Sequence, residues 1–271
     1  MVGSKVTITS SRPQTTRNVI RGVVSGEGYQ MVLVDTPGLH KPRNELGTRL
    51  NAMVSRTLAD ADAVLFVIDA TMPVGPGDRL IAGRLGESGG KVIVAVNKVD
   101  KASRPATIGQ LISAADWPFE DIYPVSGLTG EGVEELVAEL AGRLEEGPAY
   151  YPAGTTSDQP EVRVIAEIIR EKFLDRLREE LPHSLAVRVE EVSQREDGLI
   201  DVMADAIVER DSQRGIVIGK GGSMLERAGS EARRELESVL GERVNLALRV
   251  VVEKDWQSRP QSLDRLGFDR G

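Results

Sequence analysis

The chain has 271 residues, 40% hydrophobic and 28% charged, which is enough for two domains with separate cores and a soluble surface. With no cysteine and only two histidines, His40 and His183, a disulfide framework and a thiolate nucleophile or metal site are excluded, and a histidine cluster is disfavoured. Nothing resembles a signal peptide and no apolar run approaches the ~18 residues of a membrane span, so a soluble cytoplasmic protein is expected. The net charge of −8 argues against wholesale coating of nucleic acid but leaves room for a local basic or glycine-lined groove.

Residues 1–18 are polar, rich in Ser and Thr and broken by Pro13, and read as an exposed loop. Residues 19–28 and 29–36 read as adjacent strands around a turn at Ser25-Gly26-Glu27-Gly28. The second runs Met31-Val32-Leu33-Val34-Asp35-Thr36-Pro37-Gly38. Its apolar stretch delivers Asp35 to the edge of a sheet, and Pro37-Gly38 then turns the chain, with Gly38 free to approach a ligand. Helical spacing predicts a helix over 46–59, and residues 63–70, apolar on both faces, predict a central parallel strand. A short helix at 78–85, a strand at 91–96, a helix ending near Ala115, a strand near 122–125 and an amphipathic helix over 131–144 follow. This alternation indicates a doubly wound α/β sheet.

Gly147 to Pro160 contains three prolines and no periodicity, and reads as a linker. Beyond it the pattern predicts a helix over 161–180, strands at 184–193 and 199–210, a Gly-rich turn, a helix at 224–240 and a strand at 243–253. The expected division is an α/β domain over 1–146, the linker 147–160, an α+β domain over 161–255 and a loosely packed tail over 256–271.

A strand ending in an acid and a turn is common by itself. A second such strand, Val94-Ala95-Val96-Asn97-Lys98-Val99-Asp100, begins its polar end 62 residues after Asp35. The order D-T-P-G then N-K-V-D is that of a GTP-binding domain. Guanine presents N1–H and an exocyclic amine side by side, and the Asp100 carboxylate can accept both, whereas adenine offers it the wrong pattern. Asn97 can bond the opposite edge of the base and the stem of Lys98 can cover the ring; the bland alternative is an N-capping Asp after a strand. Val125-Ser126-Gly127 can close over the base with backbone amides. Asp35 is expected to hold magnesium through a water, with the Gly38 amide facing the γ-phosphate. The loop Gln14-Thr15-Thr16-Arg17-Asn18 is expected to supply a threonine hydroxyl, from Thr15 or Thr16, that binds magnesium only when the γ-phosphate is present, which makes it a switch.

The other motif is Gly215-Ile216-Val217-Ile218-Gly219-Lys220-Gly221-Gly222, which matches the G-x-x-G loop of KH domains. Glycines let a nucleic-acid backbone approach without a Cβ clash, and a following helix offers its first amides to phosphate. Lys220 adds charge, and Val217 and Ile218 fit a strand edge or groove wall that takes unstacked bases. The alternative is a plain turn between helices. Arg227, Arg233 and Arg234 on the next helix are mixed with glutamates, so only those on the groove side should matter. Arg210, Arg214, Arg249 and Lys254 are further candidates.

These motifs, with R-P-Q-T-T-R before them and the glycine loop after, resemble the Era family of bacterial ribosome-assembly GTPases, in the TrmE-Era-EngA-like group, over essentially the whole chain. The resemblance implies a P-loop GTPase-like parallel sheet followed by an α+β type II KH domain, with GTP or GDP and Mg2+ as ligands. It implies binding of 16S rRNA near its 3′ end and assistance of 30S subunit assembly, with hydrolysis as the switch, by a monomer that can associate peripherally with the inner face of the cell membrane. Leu39 stands where Ras-like enzymes carry a water-orienting glutamine, so no catalytic residue is identified within Asp35, Thr36, Pro37, Gly38 and Leu39, and slow hydrolysis is implied.

One departure stands out. A P-loop needs G-x-x-x-x-G-K-[ST]. Gly90-Lys91 has Leu85 at the first glycine position and Val92 after the lysine; Gly219-Lys220 has Arg214 and Gly221. Relative to the family, the sequence starts after the P-loop helix, lacking on the order of 30 residues that include a central strand, whose neighbours should gain exposed edges. Either the N-terminus is incomplete or the chain is a variant that no longer binds nucleotide well; these residues alone are expected to bind GTP weakly or not at all. The alternative functions are a non-catalytic RNA-binding assembly factor and a KH RNA chaperone unrelated to ribosomes.

Overall fold

The computed structural model describes residues 1–3, 5–8, 15–39, 41–87, 91–119 and 121–268. Gln14 of the expected switch loop and His40 lie outside the described residues. The chain divides into two compact units. One comprises 1–3, 23–33 and 56–156, and the other the described residues of 4–22, 34–55 and 157–271. Each is taken by itself.

Strands β1 (Ile20–Gly26) and β2 (Tyr29–Asp35) pair across the two-residue turn Glu27-Gly28, where Gly28 takes the left-handed φ of 79° that a tight hairpin requires. Then come α1 (Glu45–Asp60), β3 (Val64–Asp69), α2 (Pro76–Glu87), β4 (Val92–Asn97), α3 (Arg104–Ala115), β5 (Asp121–Pro124) and α4 (Val133–Gly142). β4 pairs in parallel with β3 (Val64↔Val92 to Asp69↔Asn97) and with β5 (Ile93↔Asp121 to Val96↔Pro124).

Alternating residues of β4 serve two cores. Val94 and Val96 pack with Phe66, Ile68, Leu85 and Ala114 on one face, while Ile93 and Ala95 pack with Met31, Val125, Leu136 and Leu140 on the other. That double burial is why β4 reads as an unbroken apolar run. It also corrects the expectation for 63–70. β4 is the central strand, and β3 is an edge strand whose Val67 is 50% exposed. The side of β3 away from β4 has no ladder partner among the described residues, and β1–β2 form a separate two-stranded sheet.

The C-terminal part runs α5 (Glu161–Leu174), α6 (Leu181–Ser184), β6 (Ala186–Gln194), β7 (Ile200–Val208), α7 (Asp211–Ile218), α8 (Ser223–Leu240), β8 (Val244–Val252) and α9 (Pro260–Arg265). β6 is antiparallel to β7 and β7 parallel to β8, the latter pair joined through α7 and α8. Ala228, Ala232 and Leu236, spaced four apart on α8, meet Ile165, Ile169 and Phe173 of α5 and the inner residues of β7, all nearly water-free.

Three expectations are corrected here. The helix expected to reach residue 180 stops at Leu174, and one further turn, α6, follows. The tail does not pack loosely. Trp256 and Leu263 are fully buried with Phe268, Leu46, Leu50 and Ile207, and the Trp256 indole donates to the Ser184 carbonyl at 2.9 Å. Nor are the described residues of 1–18 simply exposed, since Ile8 and Arg17 are buried. No described helix is long and apolar enough to cross a membrane.

Candidate nucleotide and RNA sites

In the first unit the end of β4 and the loop after β5 form one hydrogen-bonded cluster. The Asn97 side-chain oxygen accepts from the Lys98 amide at 2.7 Å and the Gly127 amide at 2.9 Å, tying the two loops. The Ser126 hydroxyl, fully buried, donates to Asp100 Oδ1 at 2.6 Å, and the Val99 amide reaches the Val125 carbonyl at 3.3 Å. Asn97, Lys98, Val99, Asp100, Val125, Ser126 and Gly127 are therefore brought together as expected from their motifs. Lys98 takes a left-handed φ of 68°, and its ammonium bonds Asp69 at 2.6 Å. Burial would raise the Asp69 carboxyl, but the bonds from Lys98 and Thr71 hold it below the usual range. Sequence reasoning missed Asp69, although its position at the end of β3, beside Asn97 in register, was the available signal.

In the second unit Thr16 donates to Asp35 Oδ2 at 3.0 Å, and Thr7 reaches the same oxygen at 3.3 Å. Desolvation raises the Asp35 carboxyl, opposed by the hydroxyls of Thr16 and Thr7 and by the Thr36 amide. Thr7 had no signal beyond lying in a Ser/Thr-rich stretch. Pro37 is buried, Gly38 exposed and Leu39 partly buried. Leu39 carries no group able to orient water. The donor set around Asp35 is all oxygen, as hard Mg2+ prefers. Among the described residues, no cluster of three or more His, Cys, Asp or Glu could hold a metal by itself.

Flanking Thr16, the Thr15 carbonyl accepts from the Arg170 guanidinium. Arg17 is buried, and its guanidinium donates to the carbonyls of Leu185 at 2.7 Å, Pro182 at 2.9 Å and His183 at 2.8 Å. Burial and the neighbouring Arg170 lower its pKa to about 9, with Glu167 opposing. Arg170 is held by Glu167 at 2.7 Å, and its Nη1 is buried without a hydrogen-bond partner among the described residues.

The glycine loop lies between α7 and α8. Gly219 (φ 76°), Gly221 (φ 60°) and Gly222 (φ 83°) all occupy left-handed backbone. A Cβ on Gly219 would meet Met224 Cβ at 2.7 Å and its nitrogen at 2.9 Å, whereas one on Gly221 would meet nothing within 4 Å. Lys220 is exposed. A groove of about 400 Å³ runs from Gly221 and Gly222 across Leu225, Gly229, Leu246 and Leu248, with Arg233 at its side. The assignment of Val217 and Ile218 to a strand edge or groove wall is corrected: both are helical, Val217 is fully buried in the core, and Ile218 packs against it. A three-residue apolar run cannot distinguish helix from strand by period alone. Ile216, 54% exposed, is the residue of that run that faces solvent. Of the candidate arginines, Arg249 is engaged with the buried Asp205 carboxylate.

Two sequence families match the chain, a KH domain over residues 180–257 and a 50S ribosome-binding GTPase over residues 1–98. GTPase Era of Mycobacterium bovis (strain BCG / Pasteur 1173P2) is 50% identical over 275 residues, spanning 99% of this chain and 92% of the relative. GTPase Era of Mycobacterium sp. (strain KMS) is 49% identical over 274 residues with the same coverage. The crystal structure of Era in complex with MgGDPNP and nucleotides 1506–1542 of 16S ribosomal RNA superposes with a TM-score of 0.93 at 34% identity, over 98% of this chain and 91% of that one. An Aquifex aeolicus Era variant bound to GDP and AlF4− matches with the same figures.

Proposed function

This chain belongs to the Era GTPase family, an α/β P-loop GTPase fold followed by a KH domain, and we propose that it is a guanine-nucleotide switch that binds the 3′ region of 16S rRNA and assists maturation of the 30S subunit. Asp100 reads guanine with a carboxylate that Ser126 holds in place, Asn97 ties the two base loops, and Lys98 covers the ring. Thr16, rather than Thr15, and Asp35 are the groups that hold magnesium, Asp35 through water. When bound, the ion neutralises phosphate charge. Gly38 and its neighbours Thr36, Pro37 and Leu39 face the γ-phosphate, and the hydrophobic Leu39 leaves hydrolysis slow.

The Gly219–Gly222 loop and the groove behind it take single-stranded RNA, with Lys220 on the phosphates and Leu225, Leu246 and Leu248 under the bases. Nucleotide state changes the 15–18 and 35–39 segments and with them RNA affinity, timing release from the small subunit. The reading places this activity in the cytoplasm, as a monomer, with peripheral association at the inner face of the membrane.

The observation that carries the nucleotide reading is the Ser126–Asp100 bond beside the Asn97–Gly127 bond, a preformed acceptor for guanine. Because no G-x-x-x-x-G-K-[ST] stretch is present in this sequence to grip the phosphates, the expected affinity is weak, and titration with a fluorescent GDP analogue carried into the millimolar range with Mg2+ tests it. Excess GDP should displace the probe and ADP should not, and equal competition by the two overturns the guanine reading.

A further inference from the structure

The threonine segment and the RNA loop meet in one small element, and nothing in the nucleotide or RNA chemistry above requires that. α6 is a single turn, and a helix that short ends in carbonyls with no partner of its own. Side chains from elsewhere in the same compact unit satisfy them. Arg17 takes Pro182, His183 and Leu185, Trp256 takes Ser184, and Gln257 shares His183 at 2.9 Å. Arg17 is the residue next to Thr16, so the position of the magnesium-binding hydroxyl and the cage at α6 are joined by one peptide bond.

The output side is equally direct. The Ser184 hydroxyl accepts from Gln213 Nε2 at 3.2 Å, and the same Gln213 accepts, through its Oε1, from the Glu209 and Arg210 amides at 2.9 and 3.2 Å. Gln213 thereby sets the start of α7, whose last residue, Ile218, precedes Gly219. Arg170 supplies the means for two arrangements. One of its nitrogens bonds the Thr15 carbonyl and another is buried with no hydrogen-bond partner among the described residues, a donor that a shifted threonine segment can take up.

We propose that α6 is the coupling element between the nucleotide switch and the RNA loop, with Arg17 as its input and Gln213 as its output. The inference rests on the switch reading above and adds the residues that transmit it. Arg17 is a positioning residue: it holds Thr16 from the RNA-binding side and moves α6 when the threonine segment changes partners. By linkage, RNA bound at the glycine loop must stabilise the nucleotide state that it favours by the same factor.

The test uses the full chain and a fluorescein-labelled RNA of 16S nucleotides 1506–1542. RNA affinity is measured with magnesium and saturating GDP, then with a non-hydrolysable GTP analogue. The wild type should show a ratio of about five-fold or more between the two states. Arg17→Ala should bring the ratio below about 1.5-fold, and Arg17→Lys, which retains a cation for the carbonyls, should restore at least half of the effect on a logarithmic scale. Gln213→Leu, which leaves the threonine segment untouched, should also abolish the ratio, and it carries the test if Arg17→Ala does not fold. A wild-type ratio retained in folded Arg17→Ala or in Gln213→Leu overturns the coupling through α6 and leaves the switch reading standing. A ratio of one in the wild type overturns the switch reading itself, and this proposal with it.

Discussion

Ser126 Oγ lies 2.6 Å from Asp100 Oδ1 and donates to it from a fully buried position. Under the proposed guanine reading, this carboxylate is oriented before any base arrives, so little side-chain freedom is lost on binding.

Replacing Asp100 by Asn turns one acceptor into a donor. GDP affinity should fall by about 100-fold, roughly 3 kcal/mol for charge-assisted bonds. Xanthosine diphosphate, which presents an oxygen where guanine has the amine, should gain. Competition titration against a fluorescent GDP analogue reads both effects. Ser126→Ala should cost only about 1 kcal/mol, or five-fold, without altering base preference.

Lys220→Asp with Gly221→Asp should abolish RNA binding and leave the fold intact. The Gly221 position is open and left-handed, a conformation that Asp tolerates better than most residues. Unchanged affinity in a salt titration of the double variant would place the RNA elsewhere. Gly219→Ala behaves differently, because its Cβ collides with Met224. It should lower the urea midpoint, and an unshifted midpoint would refute the collision.

Burial alone would raise the Glu235 carboxyl, but ammonium bonds from Lys172 and Lys5, the latter at 2.6 Å, hold it below the usual range. A depressed folded pKa contributes stability above the unfolded value, near 4.3, and loses it as pH falls through the folded value. Glu235→Gln should therefore cost about 1 kcal/mol at pH 7, modest because the cluster is partly solvated. The difference from wild type should shrink on acidification below about pH 4. Urea unfolding at several pH values checks this, and a constant offset down to pH 3 would count against it.

Trp256→Ala should destabilise the second unit by about 3–5 kcal/mol, through the lost contacts with Leu263 and Phe268 and the vacated Ser184 carbonyl. Trp256→Phe should recover most of the packing but not the hydrogen bond. Denaturant midpoints of the two variants separate the contributions.

What the sequence made legible was whatever is encoded locally. β4 was readable because burial on both faces leaves an unbroken apolar run, and the Asn97–Asp100 cluster because strand end and polar ligands are adjacent. The glycine loop was readable from its glycines, but Val217 was misplaced because its three-residue apolar run fits either period. Arg17 and Trp256 were misjudged for one shared reason. Arg17 is buried by residues 165 to 168 positions away, and Trp256 donates to a carbonyl 72 positions away. No local pattern carries such a partner. β3 reads as central because its composition is that of a strand flanked on both sides, whereas among the described residues only β4 pairs with it.

The clasp on Arg17 also sets an order of events during synthesis. Arg17 leaves the ribosome first, and the carbonyls that close on it follow 165 to 168 residues later. At 5–20 residues per second that interval is on the order of ten seconds or more. For most of it the threonine segment has neither its α6 cage nor Arg170 to hold it. On the proposed reading, a nascent chain therefore cannot complete its threonine switch until α5 and α6 have been made. A pulse of limited proteolysis on stalled nascent chains should find the 15–18 segment cleavable before residue 185 emerges and protected afterwards.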